Sequence, residues 1–189
     1  MSTLPSLYER VLGEDFVRLN AAVQAFHRLQ GSIELHGVVR TFAPQSMLAR
    51  LVARGLGSPL HDAQDSFRFE LDAQPAVERW TRHFPNRTMT SVLEFADGVL
   101  VERLGLARMR FELQVLEDGR LSMRLSRLRF AGIACRRWLM PHVIAQEWGV
   151  DNLIHFKVRA SLPWGDVVAQ YEGHLSLPHK KNSHLAVAV

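Results

Sequence analysis

Residues 154–177 read IHFKVRASLPWGDVVAQYEGHLSL. Ile154, Phe156, Val158, Ala160 and Leu162 alternate with His155, Lys157, Arg159 and Ser161, and Val167, Ala169, Tyr171, Gly173, Leu175 and Leu177 repeat the alternation on the return. A period of two marks strands with one buried face. The stretch Pro163-Trp164-Gly165-Asp166 supplies turn chemistry between them. Closing the hairpin there sets Lys157 opposite Glu172 and Phe156 opposite Gly173, an ion pair on one face and a ring over a glycine on the other.

Working towards the N-terminus, the same grammar recurs. Glu117-Asp118-Gly119 reads as a three-residue loop, which pairs Val115 with Leu121, Leu113 with Met123, Phe111 with Leu125 and, on the other face, Glu112 with Arg124. Beyond Leu125 the apolar positions move to Leu128 and Phe130, which calls for a bulge. Ala96-Asp97-Gly98 is read as a second three-residue loop, pairing Phe95 with Val99 and Leu93 with Val101. Phe67, Phe69 and Leu71 alternate with Arg68 and Glu70 in a further half-buried strand.

Upstream of Asp65 the period is helical. Phe16, Leu19, Val23 and Phe26 recur at helix spacing within a segment from Ser6 to about Leu29, broken near Gly13 and stopped by Gly31. Ile33 to Phe42 is a first strand, and Gln45 to Arg54 a short amphipathic helix ended by Gly55 and Gly57-Ser58-Pro59. Consecutive hairpins without crossover helices predict a mainly β (α+β) fold: a curved up-and-down antiparallel sheet or barrel with N-terminal helices packed on or capping it. Residues 1–178 are read as one β-barrel-like domain whose helical segment covers about 6–30, and 179–189 as a mobile tail.

With 189 residues, 47% hydrophobic and 22% charged, the chain can bury one core and does not read as disordered. The net charge of +4 is carried almost wholly by arginine, interspersed with acids, which argues against a nucleic-acid footprint and leaves an anionic ligand open. Cys135 is alone, so no intrachain disulfide or thiolate metal site is expected, and its neighbours Ile133, Ala134 and Trp138 predict a packed, inert thiol. The first residues have no apolar signal core and no segment is long enough to span a bilayer, so a cytoplasmic protein without a transmembrane segment is expected.

Trp80, Arg82 and Phe84 share one strand face; if the rings point inward, so does the arginine, as an ion-pair partner of Glu102 or Glu147 or as an anchor for an anion. His27 falls where helix meets sheet, as a proton acceptor or a packing histidine. Tyr171 faces the same interior. These residues, His27, Trp80, Arg82, Phe84, Glu102, Glu147 and Tyr171, are the candidate ligand-binding set; no catalytic, metal or cofactor site is assigned. His155 and His174 face each other outside with too few further ligands for zinc. Gln45 to Gly57 has cations on one side and leucines on another, but few cations and no large aromatic, and reads as a lid rather than a membrane element.

Leu7-Tyr8, Leu12-Gly13, Leu19, His27, Glu78-Arg79-Trp80-Thr81-Arg82 with Phe84, Glu102-Arg103-Leu104-Gly105, Glu147, Phe156, Leu162-Pro163, Tyr171 and Gly173 together resemble a bacterial family, domain of unknown function 4166. The resemblance implies a module that stands alone or is attached to larger bacterial proteins, including oxidoreductase-like chains, and brings no catalytic residues. Two functions are therefore expected: non-enzymatic binding of a small apolar or lipid-like acid inside the barrel or, alternatively, interaction with an oxidoreductase-like partner through an exposed apolar patch.

Overall fold

A computed structural model describes residues 4–178, so the expected tail at 179–189 lies outside the described residues. In chain order the elements are α1 (Leu7–Leu12), a 3-10 segment (Gly13–Arg18), α2 (Ala21–His27), β1 (Gly31–Phe42), α3 (Met47–Leu56), β2 (Ala63–Gln74), β3 (Val77–Phe84), β4 (Arg87–Ala96), β5 (Val99–Leu104), β6 (Ala107–Val115), β7 (Leu121–Phe130), the two-residue β8 (Ile133–Ala134), a 3-10 turn (Arg137–Leu139), β9 (His142–Val150), β10 (Leu153–Ser161) and β11 (Val167–Ser176). The strand order β6-β5-β4-β3-β2-β1-β11-β10-β9-β7 closes on itself through a β6–β7 pairing. The result is a ten-stranded antiparallel barrel, with β8 as a short appendage of β7. Closure removes the sheet edges that an open meander would expose.

The hairpin that decided the reading has the expected register: Lys157 pairs with Glu172, with Nζ 3.2 Å from Oε2, and Phe156 pairs with Gly173. The four pairs expected around Glu117-Asp118-Gly119 are all present, and Ser126 is the extra residue of the expected bulge, because Arg110 pairs with Arg127 while Phe111 pairs with Leu125.

The Ala96-Asp97-Gly98 loop is different. Asp97 and Gly98 both have positive φ, 51° and 78°, and form a two-residue turn that pairs Phe95 with Leu100 and Leu93 with Glu102. The three-residue reading assumed that both faces could be told apart by hydrophobicity, but Leu100 and Val101 are both buried. Val101 is covered on the outer face between Glu94 and Arg110 of the flanking strands. The corrected register turns Glu102 inward.

Gly37 and Gly173 lie where β1 and β11 press together. A Cβ on Gly37 would fall 1.8 Å from the His174 carbonyl oxygen, and one on Gly173 2.1 Å from that of Val38. Only glycine permits this approach, which bends the sheet towards closure.

The barrel has two distinct ends. At one, the connections 75–76, 97–98, 116–120 and 151–152 meet the N-terminal helices. Asn20 fastens them: its backbone N–H donates to Gly119 O (2.9 Å), its side chain donates to Asp118 O (3.2 Å), and Oδ1 accepts from Gly149 N (3.3 Å). α1 starts in a capping box in which Ser6 and Glu9 bond reciprocally. This is the floor. The other end, the mouth, gathers connections 43–62, 85–86, 105–106, 131–141 and 162–166. There α3, capped by Ser46 Oγ on Ala49 N, packs Ala49 and Ala53 against Val168.

Cys135 does not meet its expectation. It belongs to the mouth connection, beside Ile133 and Trp138, which are themselves 76% and 68% exposed, and is only partly buried. Apolar neighbours in sequence do not make a packed site when the whole segment sits on a rim.

Candidate functional site

Inside the barrel is a cavity of about 330 Å3, in the range of small-molecule sites. Its walls are mostly apolar: Phe67, Phe69, Leu93, Phe111, Ile154 and Phe156 are among them. Towards the floor it ends at Tyr8 and Phe26 of the helical segment, and towards the mouth it reaches Leu56, Phe130 and Leu139. Phe130 and Leu139 are 53% and 41% exposed, so the cavity meets the surface at that end.

β3 places Trp80 and Arg82 on the wall. Glu78, Trp80, Arg82 and Phe84 alternate inward and are all buried. Arg82 Nη1 donates to Ser91 Oγ at 3.0 Å, Nη2 lies 3.5 Å from Glu102 Oε1, and the guanidinium sits 5.1 Å from the Trp80 ring centre. Of the two acids expected to pair with Arg82, Glu102 does so. At 3.5 Å the contact is an ion pair without a tight hydrogen bond, which leaves guanidinium donors for other acceptors. Trp80 Nε1 donates to Glu78 Oε2 at 2.8 Å. Burial, opposed by His27 and the Trp80 hydrogen bond, raises the Glu78 carboxyl above its ordinary value.

Glu147 instead serves the floor. Its Oε2 is 2.7 Å from His27 Nε2, and Tyr8 stacks on the imidazole at 3.6 Å between ring centres. His27 Nδ1 is sealed from solvent and has no partner among the described residues. One ring nitrogen is held by Glu147 and the other is closed in, so the histidine does not face the cavity. Tyr8 is fully buried, and burial, reinforced by Glu147, Glu78 and Glu102, holds its hydroxyl well above the usual range. Burial likewise raises the hydroxyl of Tyr171, on which the charges of Arg82 and Glu102 also act.

The structure thus brings Trp80, Arg82, Glu102, Glu147 and Tyr171 onto the cavity wall. Phe84 packs on Tyr171 at 5.1 Å, and His27 lies beneath the floor behind Glu147. Four residues escaped the sequence reading. Glu78 was accessible to it, being in step with Trp80 and Arg82. Ser91 needed the β3–β4 register, and Tyr8 the packing of α1 across the floor. Ser58, whose place in the sequence marks only a helix stop, is 1% exposed and belongs to the cavity lining, while its Oγ is sealed and has no hydrogen-bond partner among the described residues.

His155 and His174 pair on the outer face, 5.4 Å apart, as expected, and no group of three or more metal-ligating side chains occurs among the described residues. No helix among the described residues is long and apolar enough to cross a membrane.

The family model for "Domain of unknown function (DUF4166)" matches residues 19–175. The chain belongs to this family. The match covers nearly all of the barrel and every candidate site residue except Tyr8, which lies before it. No curated protein matches the chain. Among solved structures, a protein with unknown function from the DUF3598 family of Nostoc punctiforme PCC 73102 is similar at 14% identity and a TM-score of 0.45, over 79% of this chain and 47% of that one.

Proposed function

We propose that this DUF4166 barrel binds one apolar or lipid-like acid in its interior, entering at the mouth with its apolar part among Phe67, Phe69 and Phe156 and its polar end towards Arg82, Ser58 and Tyr171. The observation that carries this reading is the apolar-lined cavity running from a closed floor to an open mouth, with the Arg82 guanidinium on its wall. A mostly apolar cavity of this size with a few convergent polar groups is the usual form of a small-molecule site. Glu102 restrains the choice of ligand: an acid at Arg82 competes with Glu102 for the same guanidinium, so it must displace Glu102 from it.

The experiment is native mass spectrometry of the gently purified protein, with denaturing extraction of what it carries. A stoichiometric apolar acid, lost in Arg82→Met but retained in Arg159→Met on the outer face, supports the reading. An empty protein that takes up no long-chain acid or neutral apolar probe sinks it.

A further inference from the structure

We infer that the mouth of the barrel docks onto an anionic lipid surface. The first observation is the orientation of α3. A surface helix ordinarily buries its large apolar side chains. α3 instead buries Ala49 and Ala53 and leaves Met47 and Leu51, one turn apart on the same face, 89% and 67% exposed. The second is that the other mouth connections repeat the feature. Leu106 in 105–106, Ile133 and Trp138 in 131–141 and Trp164 in 162–166 are all more than half exposed. With α3, these come from four separate connections that only the closed barrel brings to one end.

The third observation is charge. Arg50 and Arg54 on α3, and Arg136 and Arg137 beside Trp138, are exposed, and none of the four has a carboxylate within ion-pair distance among the described residues. From 119 to 146 the chain holds no acid at all. The mouth connections hold two acids, Asp62, which accepts from Ala43 N, and Asp166, which accepts from Trp164 Nε1, against these four arginines. The floor has the opposite net sign: in its helical segment and turns Glu9, Glu14, Asp15, Asp97, Glu117, Asp118 and Asp151 outnumber Arg10, Arg18, Arg28 and Arg120, with Asp15 paired to Arg18, Asp97 to Arg110 and Asp118 to Arg120. In an anionic surface field this asymmetry turns the mouth towards the lipid and the floor away. Aromatic and aliphatic side chains among unpaired arginines match the headgroup boundary of a bilayer better than a protein interface, whose core is depleted of charge.

Docking concerns the outer surface, so an empty barrel would also dock. Taken alone the helix has too few cations and no aromatic for a membrane element; the closed barrel supplies them from neighbouring connections, as Arg136, Arg137, Trp138 and Trp164, and α3 can still flank the cavity mouth as a lid.

The test is co-sedimentation of the full chain with phosphatidylcholine vesicles, alone or with about one third phosphatidylglycerol. Binding to the mixed vesicles only is expected, weakened at least about tenfold at about 0.5 M salt. Met47→Ser/Leu51→Ser and Arg136→Glu/Arg137→Glu are each expected to weaken it about tenfold or more, whereas Val17→Ser, an exposed apolar residue at the floor end, leaves it unchanged. Lipids brominated near the headgroup should quench Trp138 in a Trp164→Phe protein, and Trp164 in a Trp138→Phe protein. Equal binding to neutral vesicles, unchanged binding by both double variants, or no quenching would overturn the inference. So would a dimer in sedimentation velocity that the Met47→Ser/Leu51→Ser protein fails to form, together with no vesicle binding, which would make the mouth an interface between two copies. None of these outcomes depends on whether the purified protein carries a ligand.

Discussion

His27 Nε2 lies 2.7 Å from Glu147 Oε2, tying the last residue of α2 to β9 across 120 positions of sequence with side chains only 0% and 7% exposed. Removing the acceptor leaves both ring nitrogens unpartnered beneath the floor, since Nδ1 has no partner among the described residues. Glu147→Leu is expected to cost about 2–4 kcal/mol in urea unfolding with an unchanged m-value, and Glu147→Gln, which keeps an acceptor oxygen, less. A cost below about 1 kcal/mol for Glu147→Leu would mean that the floor does not depend on this contact.

The fold was legible because hairpins state their register twice, once on each face. Lys157 with Glu172 and Phe156 with Gly173 agree independently, and the structure has both pairs. β5 offered no such check: Leu100 and Val101 are both buried, so one face looked like the other and the turn at Asp97-Gly98 was read a residue too long. The inward direction of Arg82 followed from its parity with Trp80 and Phe84. Its choice of Glu102 over Glu147 did not, because the inward direction of Glu102 depends on the two-residue turn at Asp97-Gly98, which pairs it with Leu93. Tyr8 and Ser58 belong to segments without a strand period, and only the packing of helices on the two barrel ends gives them positions on the cavity.

Arg82 and Glu102 are 10% and 15% exposed, so each is costly without the other. Arg82→Met and Glu102→Leu should each destabilise the protein, while the double variant should fall short of the sum by about 1–3 kcal/mol. Equilibrium unfolding of the four proteins gives the coupling. Strict additivity would show that the two charges do not depend on each other and would free Arg82 entirely for a ligand.

Two glycines distinguish closure strain from helix propensity. Gly37→Ala places a methyl 1.8 Å from the His174 carbonyl oxygen, and the nearest atoms are all backbone of a closed barrel; a loss above about 3 kcal/mol or failure to fold is expected. Gly55 lies within α3, where an added methyl would meet no atom within 4 Å, and Gly55→Ala should stabilise by about 0.5–1 kcal/mol. Thermal melts of both variants check the contrast. A tolerated Gly37→Ala would mean that β1 and β11 can move apart without opening the barrel.

Glu78 gives the barrel a pH dependence whose sign is fixed by burial. Its carboxyl is raised in the folded state, chiefly by desolvation, whereas in the unfolded chain it titrates at the ordinary value. Between those two values the folded state holds the proton and the unfolded state does not. The contribution of Glu78 to stability is therefore fully present below the unfolded value and is lost as pH rises through the folded one. A glutamine at this position cannot ionise, yet its amide oxygen can still accept from Trp80 Nε1, the 2.8 Å bond that Glu78 makes. Glu78→Gln should accordingly melt at a higher temperature than the parent at neutral and mildly alkaline pH, and the gap should close as pH falls towards the ordinary carboxylate range. Melts across that series decide it. A Glu78→Gln protein less stable than the parent at neutral pH would show that the charged carboxylate is held by His27, which acts on Glu78 in the opposite direction to burial.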